Sequence, residues 1–187
     1  VDDKACFIVG TGPSLEGFDF SLLKGKTTIA INHAVRFFEP SYVFWADHHL
    51  PDELTSAILA SSATRFSIDK KNEIPDTTVL TSNGGPSNSF NDGLFYVQNS
   101  GLAAVNLAIL LGYDPIYLLG LDMGSNNVKT HFYPNDRWVP NCVYEYQAKF
   151  YGYFYEERYG MDMPKIYNCS PVSKIKAFEF MDYGEVL

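Results

Sequence analysis

The segment Gly10-Thr11-Gly12-Pro13-Ser14 follows directly on an apolar run, Lys4 to Val9. Glycines there let the backbone turn sharply and let a ligand approach it closely. Pro13 suits the first position of a helix, whose unpaired N–H groups would face an anion such as phosphate. The same five residues also make a plain strand-to-helix turn. The third glycine of a dinucleotide fingerprint and the lysine of a P-loop are both absent. Asn99-Ser100-Gly101 is a second anion candidate, because it opens the clearest helical pattern in the chain. Ser100 is expected to cap that helix, and the helix start favours a phosphate by ~1 kcal/mol. Capping alone accounts for these residues too.

Other reactive side chains are sparser. Asp47-His48-His49 invites a metal reading, but adjacent histidines on an extended segment point apart, so no metal site is assigned. Asp122 follows a buried run and suits Mg²⁺ or a sugar or ribose hydroxyl. His131 lies in a polar loop and is the general acid/base candidate, since imidazole titrates near neutrality. An exposed histidine without a task reads the same way. Tyr144, Tyr146, Tyr151, Tyr153, Tyr155 and Tyr159 describe a helix packed on a sheet, with a stacking platform for a base as the alternative.

Apolar runs show which elements must bring these residues together. Lys4 to Val9, Thr27 to Ile31, Tyr42 to Ala46 and Ile116 to Leu119 read as buried strands, ending at Gly10, Asn32, Asp47 and Gly120. Thr64 to Ile68, Thr77 to Leu80 and Lys165 to Asn168 are further strand candidates. Helical patterns cover Asp52 to Ala60 behind Pro51, Gly101 to Leu111 and Val143 to Tyr159. In the second of these, Leu102, Val105, Ala108 and Ile109 share a face. Short turns are expected at Phe18 to Leu23 and Ala34 to Phe38, and a helical tail at Ser173 to Phe180. Thr81 to Asp92, and the stretch from Gly120 to about Cys142, read as long loops of the kind that often carry function.

Strands alternating with helices predict a three-layer α/β domain over residues 1–187, with a mostly parallel sheet and helices on both faces. Ligands of such sheets bind outside the carboxyl ends of the strands. Gly10 to Ser14, Asn32-His33, Asp47-His48-His49 and Gly120 to Asp122 are therefore expected to converge.

Composition narrows the partners. A chain of 187 residues buries roughly 70% of its unfolded surface, enough for an unstapled core. Hydrophobic residues at 46% and charged ones at 19% exclude disorder. A net charge of −8 without a dense Lys/Arg cluster excludes a nucleic-acid partner. Lys70-Lys71 and Lys165, Lys174 and Lys176 read as ordinary solvated positions. Cys6, Cys142 and Cys169 lack C-x-x-C spacing, which fits reduced thiols in a cytoplasmic protein. Leu102 to Leu111, interrupted by Asn106, is about half of a membrane span. No secretory signal is visible. The chain begins at Val1 without a methionine, which allows for a removed N-terminal piece.

The motifs together resemble a known superfamily. FIVGTGPSL (Phe7 to Leu15), AIN (Ala30 to Asn32), NSGLAAVNLAILLGYDPIYLLGLDM (Asn99 to Met123) and KTHF (Lys129 to Phe132) are similar, in order, to segments of three groups of proteins. These are the bacterial sialyltransferases that use CMP-sialic acid on lipooligosaccharide, the archaeal 6-hydroxymethyl-dihydropterin pyrophosphokinases, and the motility accessory factors linked to flagellin glycosylation. The resemblance implies a Rossmann-like nucleotide-binding core. Its nucleotide would be met by Gly10, Thr11, Gly12, Pro13, Ser14, Asn32, Asp47, Asn99, Ser100, Gly101 and Asp122. Thr11 stands where the sialyltransferases carry a nucleotide-contacting asparagine. Gly124 and the polar stretch Ser125 to Thr130 stand where they carry two phosphate-binding tyrosines. His131 is the counterpart offered for their catalytic histidine, and Val128 to His131 resembles a D-G-K-T-H stretch of the pyrophosphokinases.

Three functions follow as expectations. The first is a nucleotide-sugar-dependent glycosyltransferase-like enzyme of surface-glycan synthesis, taking a CMP-sugar and a glycan acceptor, with peripheral membrane or glycolipid association and oligomerisation allowed for. It needs no certain cofactor. The second is Mg²⁺-dependent pyrophosphoryl transfer to a pterin-like substrate, with Asp47 and Asp122 as metal ligands. The third is a nucleotide-binding domain without catalysis.

Overall fold

The structure, a computed structural model, describes residues 4–47, 49–68, 74–124, 129–134, 139–158 and 162–187. His48, Lys70, Lys71, Tyr159 and residues 125–128 lie outside them.

Strands that read as unbroken apolar runs must be covered on both faces, and the sheet shows why. The strands are β1 (Cys6–Val9), β2 (Thr28–Ile31), β3 (Tyr42–Trp45), β4 (Thr64–Ile68), β5 (Thr77–Leu80), β6 (Ser82–Asn83), β7 (Leu94–Phe95), β8 (Ile116–Leu119), β9 (Ile166–Asn168) and β10 (Glu179–Phe180). Eight form one sheet in the order β10-β9-β8-β1-β2-β3-β4-β5, and every pairing in it is parallel. β6 and β7 pair separately. Central β1 alternates strictly: Cys6 and Ile8 enter one apolar cluster, Phe7 and Val9 the other.

Among the described residues, three α-helices complete the layers: α1 (Asp52–Ala60), α2 (Ser100–Leu110) and α3 (Asn141–Glu157). Leu54 and Ile58 of α1 pack on the Phe7/Val9 face, beside 3₁₀ turns at Pro13–Leu15, Phe20–Leu23 and Asn32–Arg36. Helices α2 and α3 cover the opposite face through Leu102, Val105, Tyr151 and Phe154. This is a Rossmann-like α/β layout. From β1 the chain winds outward to β5, returns beneath α2 and places β8 on the other flank of β1. Strand order therefore reverses between β1 and β8.

Several local expectations are corrected. The segment expected to be a helical tail, Ser173 to Phe180, is irregular and ends in β10, whose Glu179 and Phe180 pair with β9. There Ser173 Oγ donates to the Leu121 carbonyl and accepts from Ile175 N–H, which ties the chain down before a helix can propagate. Thr81 to Asp92 contains β6 and a 3₁₀ turn at Phe90–Asp92. Helix α2 is not amphipathic: every residue from Gly101 to Ala108 is buried. On α3 only Ala148, Tyr151 and Phe154 are buried, so Tyr146, Tyr153 and Tyr155 remain exposed.

Asn106, which interrupts the apolar run of α2, serves as a fully buried clamp. Its Oδ1 accepts from Ser87 N–H at 3.2 Å and Phe95 N–H at 3.0 Å, and its Nδ2 donates to the Ser87 carbonyl at 3.1 Å. Arg158 Nη1 donates to that same carbonyl at 2.7 Å. The loop before β7 is thus hung from two helices. Asn106→Leu leaves two buried amide donors unpaired, and denaturant melts should show a loss of roughly 3 kcal/mol. A loss below about 1 kcal/mol would mean the clamp is not structural.

Candidate functional site

The carboxyl ends of β1, β2, β3 and β8 open on one cleft of about 540 Å³, well within the range of small-molecule sites. Gly10, Thr11, Gly12, Asn32, Asp47, Asn99, Ser100, Gly101, Asp122 and His131 all line it. Pro13 and Ser14 do not. Two chemical tasks explain the split.

Ser14 faces a different anion, one the protein supplies itself. Its N–H donates to Asp122 Oδ2 at 2.8 Å, and its hydroxyl to Asp122 Oδ1 at 2.6 Å. Ser170 Oγ donates to the same Oδ1 at 2.6 Å. Asp122 is 4% exposed, with both oxygens turned to hydrogen-bond donors. Those oxygens accept three hydrogen bonds from the protein itself, which makes Asp122 an internal anchor. The backbone beside it is equally tight. Gly12 N–H donates to the Gly120 carbonyl at 2.8 Å. A Cβ on Gly12 would lie 2.5 Å from Asp122 Cγ and 2.7 Å from Gly120 O, so only glycine fits.

The start of α2 points into the cleft. Asn99, not Ser100, is the N-cap: its Oδ1 accepts from Leu102 N–H at 3.0 Å and from Tyr151 hydroxyl at 3.2 Å. Burial pushes the Tyr151 hydroxyl far up, so it stays a neutral donor to this cap. The N–H groups of Ser100 and Gly101 belong to the first turn, where the helix offers no acceptor. Both residues line the cleft at the positive end of the helix dipole.

Backbone strain gathers at the same place. Among the described residues, the non-glycine residues with positive φ are Asn32 (49°), Asp76 (56°), Gln98 (58°) and Met123 (49°), and all but Asp76 line the cleft. Strain of this kind concentrates at functional sites. Gln98 is held by Gln147 of α3, whose Nε2 donates to the Gln98 carbonyl at 3.0 Å. Asn32 has one further peculiarity: its Oδ1 is buried and meets no hydrogen-bond donor. Gln98, Met123, Tyr96 and Gln147 escape a reading of the sequence, whereas Tyr144, one of the tyrosines offered as a stacking platform, lines the cleft. Among the strained cleft residues only Asn32 carries a signal, since asparagine is enriched in left-handed backbone.

His131 is docked on the glycine loop. Its Nδ1 lies 2.8 Å from Thr11 Oγ1, and the next residue, Phe132, donates its N–H to the Thr11 carbonyl at 3.1 Å. Lys129 Nζ pairs with Glu16 at 2.6 Å. Tyr133 stacks on His131, with ring centroids 5.2 Å apart, and also meets His33 at 5.4 Å. Burial pushes the Tyr133 hydroxyl up to about 12, with the Arg36 guanidinium working the other way. Arg36 lies 5.7 Å over that ring and bonds Glu53 at 2.9 Å. His49 is exposed and lies off the cleft. Among the described residues no group of three or more His, Cys, Asp or Glu is placed to hold a metal ion.

A parallel sheet with its cleft where strand order reverses defines the class: an α/β domain of Rossmann-like build. No protein-family model matches the sequence, and no curated protein gives a significant match. Among solved structures, the chain is similar to one described as the structure of MAf glycosyltransferase from Magnetospirillum magneticum AMB-1, with a TM-score of 0.68 at 16% identity. The match covers 99% of this chain and 34% of that one, so the chain spans about a third of that protein's length. At this identity the likeness is one of fold.

Two outcomes follow from the geometry. Asp122→Ala strands three donors and should destabilise the fold by roughly 3 kcal/mol in denaturant melts, since bonds to a carboxylate are the stronger kind. An unchanged midpoint would remove Asp122 as the anchor. Burial, aided by Arg36, holds His33 below its ordinary value of 6.5, against the pull of Glu53 and Asp47. The unfolded chain then takes up this proton first, so His33 contributes stability above about 6.5 that is lost as pH falls. Melting temperature should drop with acidification through that value, and His33→Gln should flatten the drop.

Proposed function

We propose that this chain is the nucleotide-binding part of a nucleotide-sugar-dependent glycosyltransferase of surface-glycan synthesis, with a CMP-sugar as the favoured donor. The observation that carries the reading is Asn32. A buried carbonyl oxygen with no donor costs about 1–3 kcal/mol, and strained left-handed backbone adds to it. An N–H or O–H group of a ligand, from a base or a ribose hydroxyl, would relieve the first cost. Around Asn32 lie the other requirements for a nucleotide: a hollow of suitable size, and the positive start of α2 for the phosphate. The fold likeness to a protein described as a glycosyltransferase supports the same reading.

In this reading the donor phosphate sits against the N–H groups of Ser100 and Gly101, where the negative charge that grows as the sugar departs is stabilised. His131 takes the proton of the acceptor hydroxyl through Nε2. In the tautomer this requires, Nδ1–H donates to Thr11 Oγ1, the contact seen at 2.8 Å. The acceptor oxygen bonds to the anomeric carbon, and the bond from that carbon to the phosphate oxygen breaks with its electrons leaving on the nucleotide. Thr11 thus acts on the base through a hydrogen bond, where the sialyltransferases' asparagine meets the nucleotide. The three hydrogen bonds that Asp122 accepts from the protein favour this reading over pyrophosphoryl transfer with Asp47 and Asp122 as metal ligands.

Isothermal titration with CMP, CDP and UDP should show saturable binding, and silence at millimolar ligand would sink the proposal. Asn32→Gly accepts the left-handed backbone without strain. It should weaken nucleotide binding roughly tenfold while leaving the melting temperature equal or higher. A variant that binds as tightly as the parent would take Asn32 out of the site.

A further inference from the structure

A second hollow, of about 390 Å³, is lined by Lys149, Lys174 and Lys176 together with Glu145 and the small residues Ala148, Gly152 and Ala177. Its place beside the cleft follows from two elements. Helix α3 turns Val143, Tyr144 and Gln147 toward the cleft, and the interleaved positions 145, 148, 149 and 152 toward the hollow. The Lys174 side chain runs along Gly124, a cleft residue: a Cβ built there would lie 3.6 Å from Lys174 Cγ.

Lysines gathered in this way are at odds with the rest of a chain of net charge −8. Lys149 comes from α3, while Lys174 and Lys176 come from the segment after β9, so only the fold unites them. Among the described residues neither Lys149 nor Lys174 forms an ion pair. Lys176 Nζ donates only to the Ser173 carbonyl, at 2.9 Å. Lysines outnumber the one carboxylate, and like charges held together repel. Nor is the segment loosely placed. Lys174 N–H donates to the Asp122 carbonyl at 2.8 Å, and Ser173 Oγ to the Leu121 carbonyl at 2.8 Å. Lys174 therefore springs from the same knot that anchors the cleft floor.

We infer that this hollow seats an acidic acceptor: a carboxylate or phosphate carried by the acceptor sugar is held by Lys149, Lys174 and Lys176, next to the donor cleft. The word acceptor rests on the transferase reading above; the anion selectivity of the hollow does not. A concave cationic patch focuses its field and selects ligands by charge even when each exposed pair is weak.

The test is a titration of the full chain with galacturonate and a galactose phosphate, against neutral galactose, in low salt and again in high salt. Vesicles of phosphatidylglycerol form a separate arm, and a nucleotide titration is run on the same samples. The acidic sugars should bind roughly tenfold tighter than galactose, and the preference should shrink with salt. The exposed triple variant Lys149→Gln, Lys174→Gln, Lys176→Gln should lose it with an unchanged melting temperature, and Lys149→Gln alone should lose part of it. Equal binding of charged and neutral sugars, or a preference that survives the triple variant, overturns the inference. So does binding to anionic vesicles without any preference among soluble sugars. Nucleotide binding with no charge preference overturns this inference alone. Charge preference without nucleotide binding upholds the hollow and sinks the donor reading.

Discussion

The Asp122 carboxylate ties the exit of β1, through both Ser14 donors, to the exit of β8, where it sits, and to the segment after β9, through Ser170. A carboxyl group this deeply buried persists only when donors surround it. Here each donor comes from a loop that would otherwise be free to drift. With those three exits fixed, the glycine loop, the left-handed Met123 and the Lys174 segment all take defined positions. The cleft and the lysine hollow beside it are two sides of one knot.

An internal anion also changes how the glycine loop is understood. A loop of small residues ahead of a helical turn resembles a cradle for a ligand phosphate, and half of this one is already filled by the protein. Ser14 serves Asp122, while Gly10, Thr11 and Gly12 face the cleft. The 3₁₀ turn at Pro13–Leu15 is too short to gather a useful dipole, whereas the eleven residues of α2 are not. The division of labour falls where the helix lengths differ.

How much of this could be read from residue order depends on burial. Central strands announce themselves because both faces are covered, which leaves no polar positions to interrupt the run; Ile116 to Leu119 and Thr64 to Ile68 are bounded in the structure as the sequence suggests. Helix α2 was legible as a helix but not as one buried all round, since Asn106 looks like a polar face until its partners at Ser87 and Phe95 are known. β6, β7 and β10 have two residues each, too few for any period to show. For the site, strand ends pointed to Gly10, Asn32, Asp47 and Asp122. Gln98 and Met123 were invisible, because neither residue type favours the backbone it adopts. Ser170 was hidden for another reason: the bond from its hydroxyl to Asp122 spans 48 residues.

The strand order has a consequence for how the molecule comes into being. β1 pairs with β2 about twenty residues downstream, but its other neighbour, β8, begins only at Ile116. Until that segment has left the ribosome, the middle of the future sheet has a bare flank of unpaired amides and carbonyls, and the apolar residues that α3 will cover stand in water. Pairings this distant close late and slowly. During synthesis the nascent protein is therefore a half-sheet with its most adhesive edge at the centre, and its safe passage depends on how soon the second half arrives.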